Sequence, residues 1–275
     1  VLGRGEGSLG LAIQLLLNGA NIVLSVLLGL KLGWGLEGVA WGTVGGEALA
    51  AVAGLAILVR RSAGMPRLTR ARLFDTAALL RMLALNGDIM IRSFSLLAAF
   101  ALFTRQSAQL GTVTLAANAV LMNFFLVSGY FLDGFATAAE QLAGRAVGAR
   151  YAPAFHKAIR LTCLWGFGLS GVCAMVFLLG GDDFVRLVTA APEVRAAAVL
   201  YLPWAALTAV SGVLAFQMDG VFIGATWSRD MRNMMLLSLA IFVFWLVVAG
   251  TSLGNHGLWA ALHIFLIARG VSLAA

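Results

Sequence analysis

Eight apolar stretches, each long enough to cross a lipid bilayer, occupy most of this 275-residue chain. They run Leu9–Leu30, Gly38–Val59, Gly87–Ala108, Val113–Ala138, Leu161–Gly180, Ala196–Phe222, Asn233–Thr251 and Gly257–Ala275. An α-helix rises about 1.5 Å per residue, so roughly 20 residues cover a hydrocarbon core of about 30 Å. Composition agrees, with 61% hydrophobic and only 11% charged residues. A water-soluble domain of this size needs far more charge to cover its surface. The chain reads as an all-α, polytopic membrane helix bundle with eight transmembrane helices.

The formal net charge of +7 is distributed as an orientation signal, and no nucleic-acid partner is expected. With loops on alternating sides, Arg4, Arg60, Arg61, Arg67, Arg70, Arg72, Arg81, Arg145, Arg150, Lys157, Arg160, Arg229 and Arg232 share one side. The other side carries Lys31, Arg105, Arg186 and Arg195, a tally of 13 against 4. The positive-inside rule puts the first group in the cytoplasm, and eight crossings put both ends of the chain there too.

Soluble-enzyme chemistry finds little support. Cys163 and Cys173 lie about 15 Å apart on one helix, too far to pair, and read as small apolar packing residues. His156, His256 and His263 are scattered, and no HExxH, CxxC or paired acidic motif occurs, so no metal site is expected. The sequence has no GxxxxGK[ST] motif for an ATP-driven pump, no nucleophile elbow and no aspartate-rich diphosphate motif.

The basic stretch Arg60–Asp75, with Gly64 and Pro66, reads as a linker between two spans and six. After it, Asp75 can cap a short helix carrying Leu79, Leu80, Leu83 and Leu85 beside Arg81, expected to lie along the membrane interface. The division is therefore 1–59, 60–86 and 87–275. A repeat ties the two ends together. Gly3, Leu32 and Gly33 recur 221 positions later as Gly224, Leu253 and Gly254, and Gly38 recurs as Gly257 after a two-residue gap. Spans 1–2 thus look like counterparts of spans 7–8. Repeated six-helix halves are a transporter architecture, which implies a twelve-helix parent whose first four helices precede Val1.

Polar residues inside spans carry the functional signal, because a charge at the bilayer centre costs about 2.5–3.5 kcal/mol. Gln14, Asn18, Asn21 and Ser25 recur at steps of four, three and four, on one face of the first span. That face either hydrogen-bonds to other helices or lines a water-filled cavity. Glu47 lies about 13 Å into the second span and must be neutralised by a proton or by a partner on another helix. Gly45 and Gly46 beside it would let a neighbouring backbone approach. In the fourth span Asn123, Tyr130, Asp133, Thr137 and Glu140 form a second stripe. The third span starts with Asp88 and Arg92, and the sixth ends with Gln217, Met218 and Asp219. Arg92, Asp133 and Asp219 sit at matching depths, about 7, 7 and 5 Å from one side. They form either a structural ion-pair network or a coupling site. In the second case Asp219 takes up a proton or cation in competition with Arg92.

Four segments carry a family likeness: LGWGLEGVAWGTVGGEALA (Leu32–Ala50), LAANAVLMNFFLVSGYFLDGFATAAEQLAGRAVGAR (Leu115–Arg150), YLPWAAL (Tyr201–Leu207) and MDGVFIGAT (Met218–Thr226). They resemble the multidrug and toxic compound extrusion (MATE) family, and within it the DinF-like branch. The likeness runs along essentially the whole chain. It implies a MATE-like bundle of two six-helix lobes, this chain holding the last two helices of the N-lobe and the six-helix C-lobe.

The resemblance further implies a secondary antiporter of the bacterial inner (plasma) membrane, monomeric, with a proton or sodium ion as coupling ion and no other cofactor. It would expel small organic, cationic or neutral compounds through a cavity between rocking lobes. Asp219 falls at a tenth-helix acidic position that some relatives use for cations, and Glu47 at a frequent glutamate of the sixth helix. Ion coupling is assigned to Asp219, Glu47, Asp133 and Arg92. The substrate cavity is assigned to Gln14, Asn18, Asn21, Ser25, Asn118, Asn123, Tyr130 and Gln217. One departure stands out: Ser25 sits where relatives usually carry an Asp of the first-lobe proton network, and that network's other acid would lie upstream of Val1. Two alternatives are a flippase of lipid-linked saccharides and a non-transporting membrane protein. The flippase would need several Arg or Lys on the cavity wall, where Arg92 is the one cation expected.

Overall fold

In the computed structural model, residues 7–62, 74–248 and 252–275 are described. Among them nine α-helices carry nearly all of the backbone, and no strand occurs. They are α1 (Gly7–Ser25, continued by a π-turn over Val26–Lys31), α2 (Gly35–Ser62), α3 (Thr76–Gln109), α4 (Thr112–Gly148), α5 (Ala152–Val188), α6 (Pro192–Ser211), α7 (Val213–Gly224), α8 (Ser228–Val248) and α9 (Gly254–Ala274). Eight segments are long and apolar enough to cross a membrane, α6 and α7 together making the sixth. Helices satisfy every backbone polar group internally, which lipid demands. The all-α membrane bundle expected from the sequence is the fold found.

Three details depart from expectation. The separate interfacial helix does not exist, because residues 76–86 are the first turns of α3, a 34-residue helix. Nothing there breaks a helix: Thr76–Asn86 holds no Gly or Pro and is rich in Ala and Leu. Helices α4 and α5 run 37 residues each, roughly 55 Å, and so project past the hydrocarbon core. The sixth span is interrupted at Gly212, between α6 and α7, and Pro203 removes one ladder donor within α6.

Contacts divide the chain into two compact units, Val1–Asp75 and Thr76–Ala275. The boundary falls where α3 begins. Gly64 and Pro66 of the expected linker lie outside the described residues, as does Gly3 of the repeat.

In the first unit, α1 meets α2 along a seam of small residues spaced by four: Gly38, Gly42, Gly46 and Ala50. A Cβ on Gly42 would come within 2.5 Å of Ser25 Oγ, and one on Gly38 within 2.5 Å of the Leu28 backbone. Small residues at such spacing let helices touch where lipid offers no hydrophobic drive. The turn between α1 and α2 uses Gly33 at φ 72°, and its repeat counterpart Gly254 holds φ 54° at the first position of α9. The recurring Leu-Gly pair is thus the same left-handed device used twice.

In the second unit α4 packs on α5, α6 and α7, while α9 packs on α8, α7 and α6. Phe103, Trp259, Phe242 and Phe265 fill the middle. Phe103 meets Trp259 edge-on at 5.3 Å between ring centroids. His263 fastens α9 to α6 through Ser211 Oγ (2.8 Å) and the Trp204 carbonyl (3.1 Å).

Asn118, assigned to the cavity from its sequence, lies instead in this core at 1% exposure. Its Nδ2 donates to Ser107 Oγ (2.8 Å) and Asn255 Oδ1 (2.7 Å), and its Oδ1 accepts from Asn255 Nδ2 (3.0 Å) and Trp259 Nε1 (2.9 Å). The amide therefore pins α3, α4 and α9 together. Asn118→Ala should lower stability by about 2 kcal/mol, since Asn255 and Trp259 lose partners they cannot replace with water. Ser107→Ala removes one bond and should cost less than half as much. Thermal unfolding in detergent micelles would separate the two.

Candidate functional site

A cavity of about 510 Å³ opens between α3, α4, α7 and α9. Helical spacing builds its walls. On α4, Tyr130, Asp133, Thr137 and Glu140 follow at steps of three, four and three, so one face presents all four. Helix α7 contributes Phe216, Asp219, Gly220 and Ile223. It reaches α4 because two glycines let it. A Cβ on Gly220 would fall on the Ala136 carbonyl oxygen and one on Gly224 on the Glu140 carbonyl oxygen, while Gly144 faces Gly224 in return. The two backbones touch beside the cavity.

Asp219 is the centre of the charge arrangement. It is 5% exposed and ion-paired with Arg92 of α3 and Arg269 of α9. Arg269 also donates from Nε to Asp219 Oδ1 at 3.3 Å. Arg269 is itself 3% exposed, and an ion so far from water persists only with such a partner. One carboxylate therefore holds two guanidiniums from different helices. The Arg92 Nε is buried without a partner among the described residues. Asp88, one turn before Arg92, turns the other way. It accepts from Arg232 Nη1 (2.6 Å) and Ser228 Oγ (2.9 Å), which clamps α3 to the start of α8.

Of the residues singled out in the sequence, Arg92, Tyr130, Asp133, Thr137, Glu140 and Asp219 come together around this cavity. Others do not. Asn123 donates to its own helix carbonyls at Ala119 (3.1 Å) and Val120 (3.0 Å) and borders a separate apolar groove with Phe124 and Phe177. Gln217 is fully buried without a hydrogen-bond partner among the described residues. It faces the bare backbone of Gly166 on α5, 3.3 Å from where a Cβ would stand there. Gln14, Asn18, Asn21, Ser25 and Glu47 belong to the first unit. There Gln14, Asn18 and Glu47 are exposed. Asn21 and Ser25 are half-buried against the glycine seam, and Ser25 Oγ donates to Asn21 Oδ1 and to the Val39 carbonyl, both at 3.4 Å. The stripe on α1 is thus split between a packed and an open part.

Arg269 is the residue that sequence reasoning missed, so Arg92 is not the one cation of the wall. The signal was available by subtraction. The two sides of the membrane account for 17 of the 19 Lys and Arg (13 + 4), and the two left over are Arg92 and Arg269. Both must find a partner inside the membrane.

Residues 89–249, more than half of the chain, match the MatE family profile. Together with the fold and the polar cavity, this establishes that the chain belongs to the MatE family, the multidrug and toxic compound extrusion proteins. It is 38% identical over 258 residues to DNA damage-inducible protein F of Escherichia coli (strain K12), covering 93% of this chain and 56% of that protein. It is 27% identical over 261 residues to Protein DETOXIFICATION 44, chloroplastic, of Arabidopsis thaliana, covering 93% and 48%. The chain thus spans about half the length of these curated relatives.

Among solved structures it superposes with a TM-score of 0.87 on a mutant of the Vibrio cholerae MATE transporter VcmN, at 19% identity, covering 99% of this chain and 62% of that one. A MATE in the straight conformation gives 0.85 at 18% identity, covering 98% and 62%. At these identities the likeness concerns the fold. The chain is a multi-pass inner-membrane protein, and its MATE relatives are transporters, not enzymes.

Proposed function

We propose that this chain forms most of a secondary multidrug antiporter, which expels small organic compounds in exchange for protons or sodium ions. Thr76–Ala275 is taken as a complete six-helix lobe, the first unit as the end of the other lobe, and the working protein as a monomer with both ends of this chain cytoplasmic. The observation that carries the reading is Asp219, held between Arg92 and Arg269 on the wall of a cavity that also presents Asp133 and Glu140. A proton or cation at Asp219 competes with the two arginines. Its arrival loosens α3 and α9 from α7, and by linkage any compound that favours the loosened arrangement favours ion uptake. Two positive and three negative groups give the wall a formal charge of −1, which supports cationic or neutral cargo. A flippase of lipid-linked saccharides fits less well, because both guanidiniums are committed to Asp219 and none is left for pyrophosphate.

The test is efflux of a fluorescent organic cation from proteoliposomes carrying the whole transporter. Efflux should appear when an inward proton or sodium gradient is imposed and vanish when both are abolished. Efflux that ignores the gradients would remove antiport.

A further inference from the structure

At the turn between α4 and α5 the surface carries two shallow grooves that the cavity does not use. One, of about 450 Å³, runs between α4 and α5 over Leu142, Ala154 and Leu161, with Lys157 at its edge. The other, of about 310 Å³, runs toward α8 over Val147, Phe155 and Trp227, with Arg150 at its edge. They flank Tyr151, which walls both.

The charged residues that line them, Arg145, Arg150 and Lys157, are all cations. Arg145, Arg150, Lys157 and Arg160 fall within one turn and its flanking helix ends, and no Asp or Glu occurs between Gln141 and Gly181. Arg150 holds φ 51°, a conformation that glycine adopts at least cost. A cation nevertheless occupies that position, at the mouth of a groove. Tyr151 is 58% and Trp227 42% exposed, and such amphipathic rings settle at the level of lipid headgroups. Long basic side chains beside them lay their stems on apolar surface and lift the charge to the same level.

We propose that this surface binds an anionic phospholipid, its phosphate held by Lys157 and Arg150 and its two acyl chains laid in the grooves on either side of Tyr151. Two apolar troughs that share Tyr151, each with a cation at its edge, match a molecule with two chains and one phosphate. Basic pockets at helix ends are the usual seat of such headgroups. A choline headgroup would bring its ammonium into a cluster of cations, so a net negative lipid is selected. The site uses none of the cavity residues, and its fate is separate from that of the antiport mechanism.

The experiment takes delipidated protein in detergent and titrates it with dioleoyl phosphatidylglycerol, dioleoyl phosphatidylcholine or inorganic phosphate, reading bound copies by native mass spectrometry. Phosphatidylglycerol should bind at least about fivefold tighter than phosphatidylcholine, and inorganic phosphate should not displace it. Lys157→Gln and Arg150→Gln should each weaken phosphatidylglycerol roughly fivefold. Ala154→Trp, which fills one groove and alters no charge, should do the same and serves if a charge variant fails to fold. Arg105→Gln should leave binding unchanged. Equal binding of the two lipids, displacement by phosphate alone, or unchanged affinity in Ala154→Trp and Arg150→Gln would overturn the proposal.

Discussion

Replacing Gly220 by valine should separate α7 from α4 and destabilise the second unit by about 3 kcal/mol. Even a single Cβ there meets the Ala136 carbonyl oxygen. That atom is backbone in the middle of a helix, so no rotamer change moves it aside. The helices must part along the whole Gly220–Gly224 seam, and dispersion contacts on both sides are lost together. Because Asp219 is the neighbouring residue, the shift also drags its carboxylate away from Arg92 and Arg269. Gly220→Ala should show the same effect in weaker form. Gly168 and Gly134 are the controls, since a Cβ on either meets nothing within 4 Å. Alanine there should be neutral or stabilising by up to about 1 kcal/mol. Thermal unfolding of the four variants in detergent decides the matter. A Gly220→Val protein that melts with the wild type would mean the two backbones are not in contact.

The bundle itself was legible because length and apolarity are written residue by residue. The meeting of Arg92, Asp133 and Asp219 was legible for a related reason: depth along a helix follows from counting, and equal depths allow contact. Direction around the helix follows from counting as well. Gln217 and Asp219 are two residues apart, about 200° around α7, so both cannot face one cavity. Asn118 and Asn123 are five apart, about 140°, and they too point different ways. Asn118 shares its face with Leu121, Phe125 and Ser128, all buried, whereas Asn123 shares its face with the exposed Leu126 and Tyr130. The glycines were harder. Gly42 and Gly46 differ from Gly54 only in what stands opposite, and a partner helix is not visible in a local pattern. Arg269 escaped because it belongs to neither polar stripe nor to either basic side, although a charge inside an apolar span declares a partner more firmly than any amide does.

The larger effect in the cavity itself belongs to Asp219→Asn, expected to cost about 3–5 kcal/mol. The asparagine keeps the size of the side chain and removes the charge that two buried guanidiniums share. Arg92 and Arg269 then face the same neutral amide, and their mutual repulsion is no longer offset. Arg269→Gln should cost less, because Asp219 retains Arg92. The double variant Asp219→Asn with Arg269→Gln should recover part of the loss, with a coupling of about 1–3 kcal/mol between the sites. Unfolding and gradient-driven efflux need to be read on the same preparations, because each answers a different question. A double variant that regains stability but not efflux assigns Asp219 to ion coupling as well as to the clamp. Recovery of both would reduce the triad to scaffolding and move the coupling role to Asp133 and Glu140 across the cavity. A single Asp219→Asn variant as stable as the wild type would mean that the carboxylate never held the two arginines together.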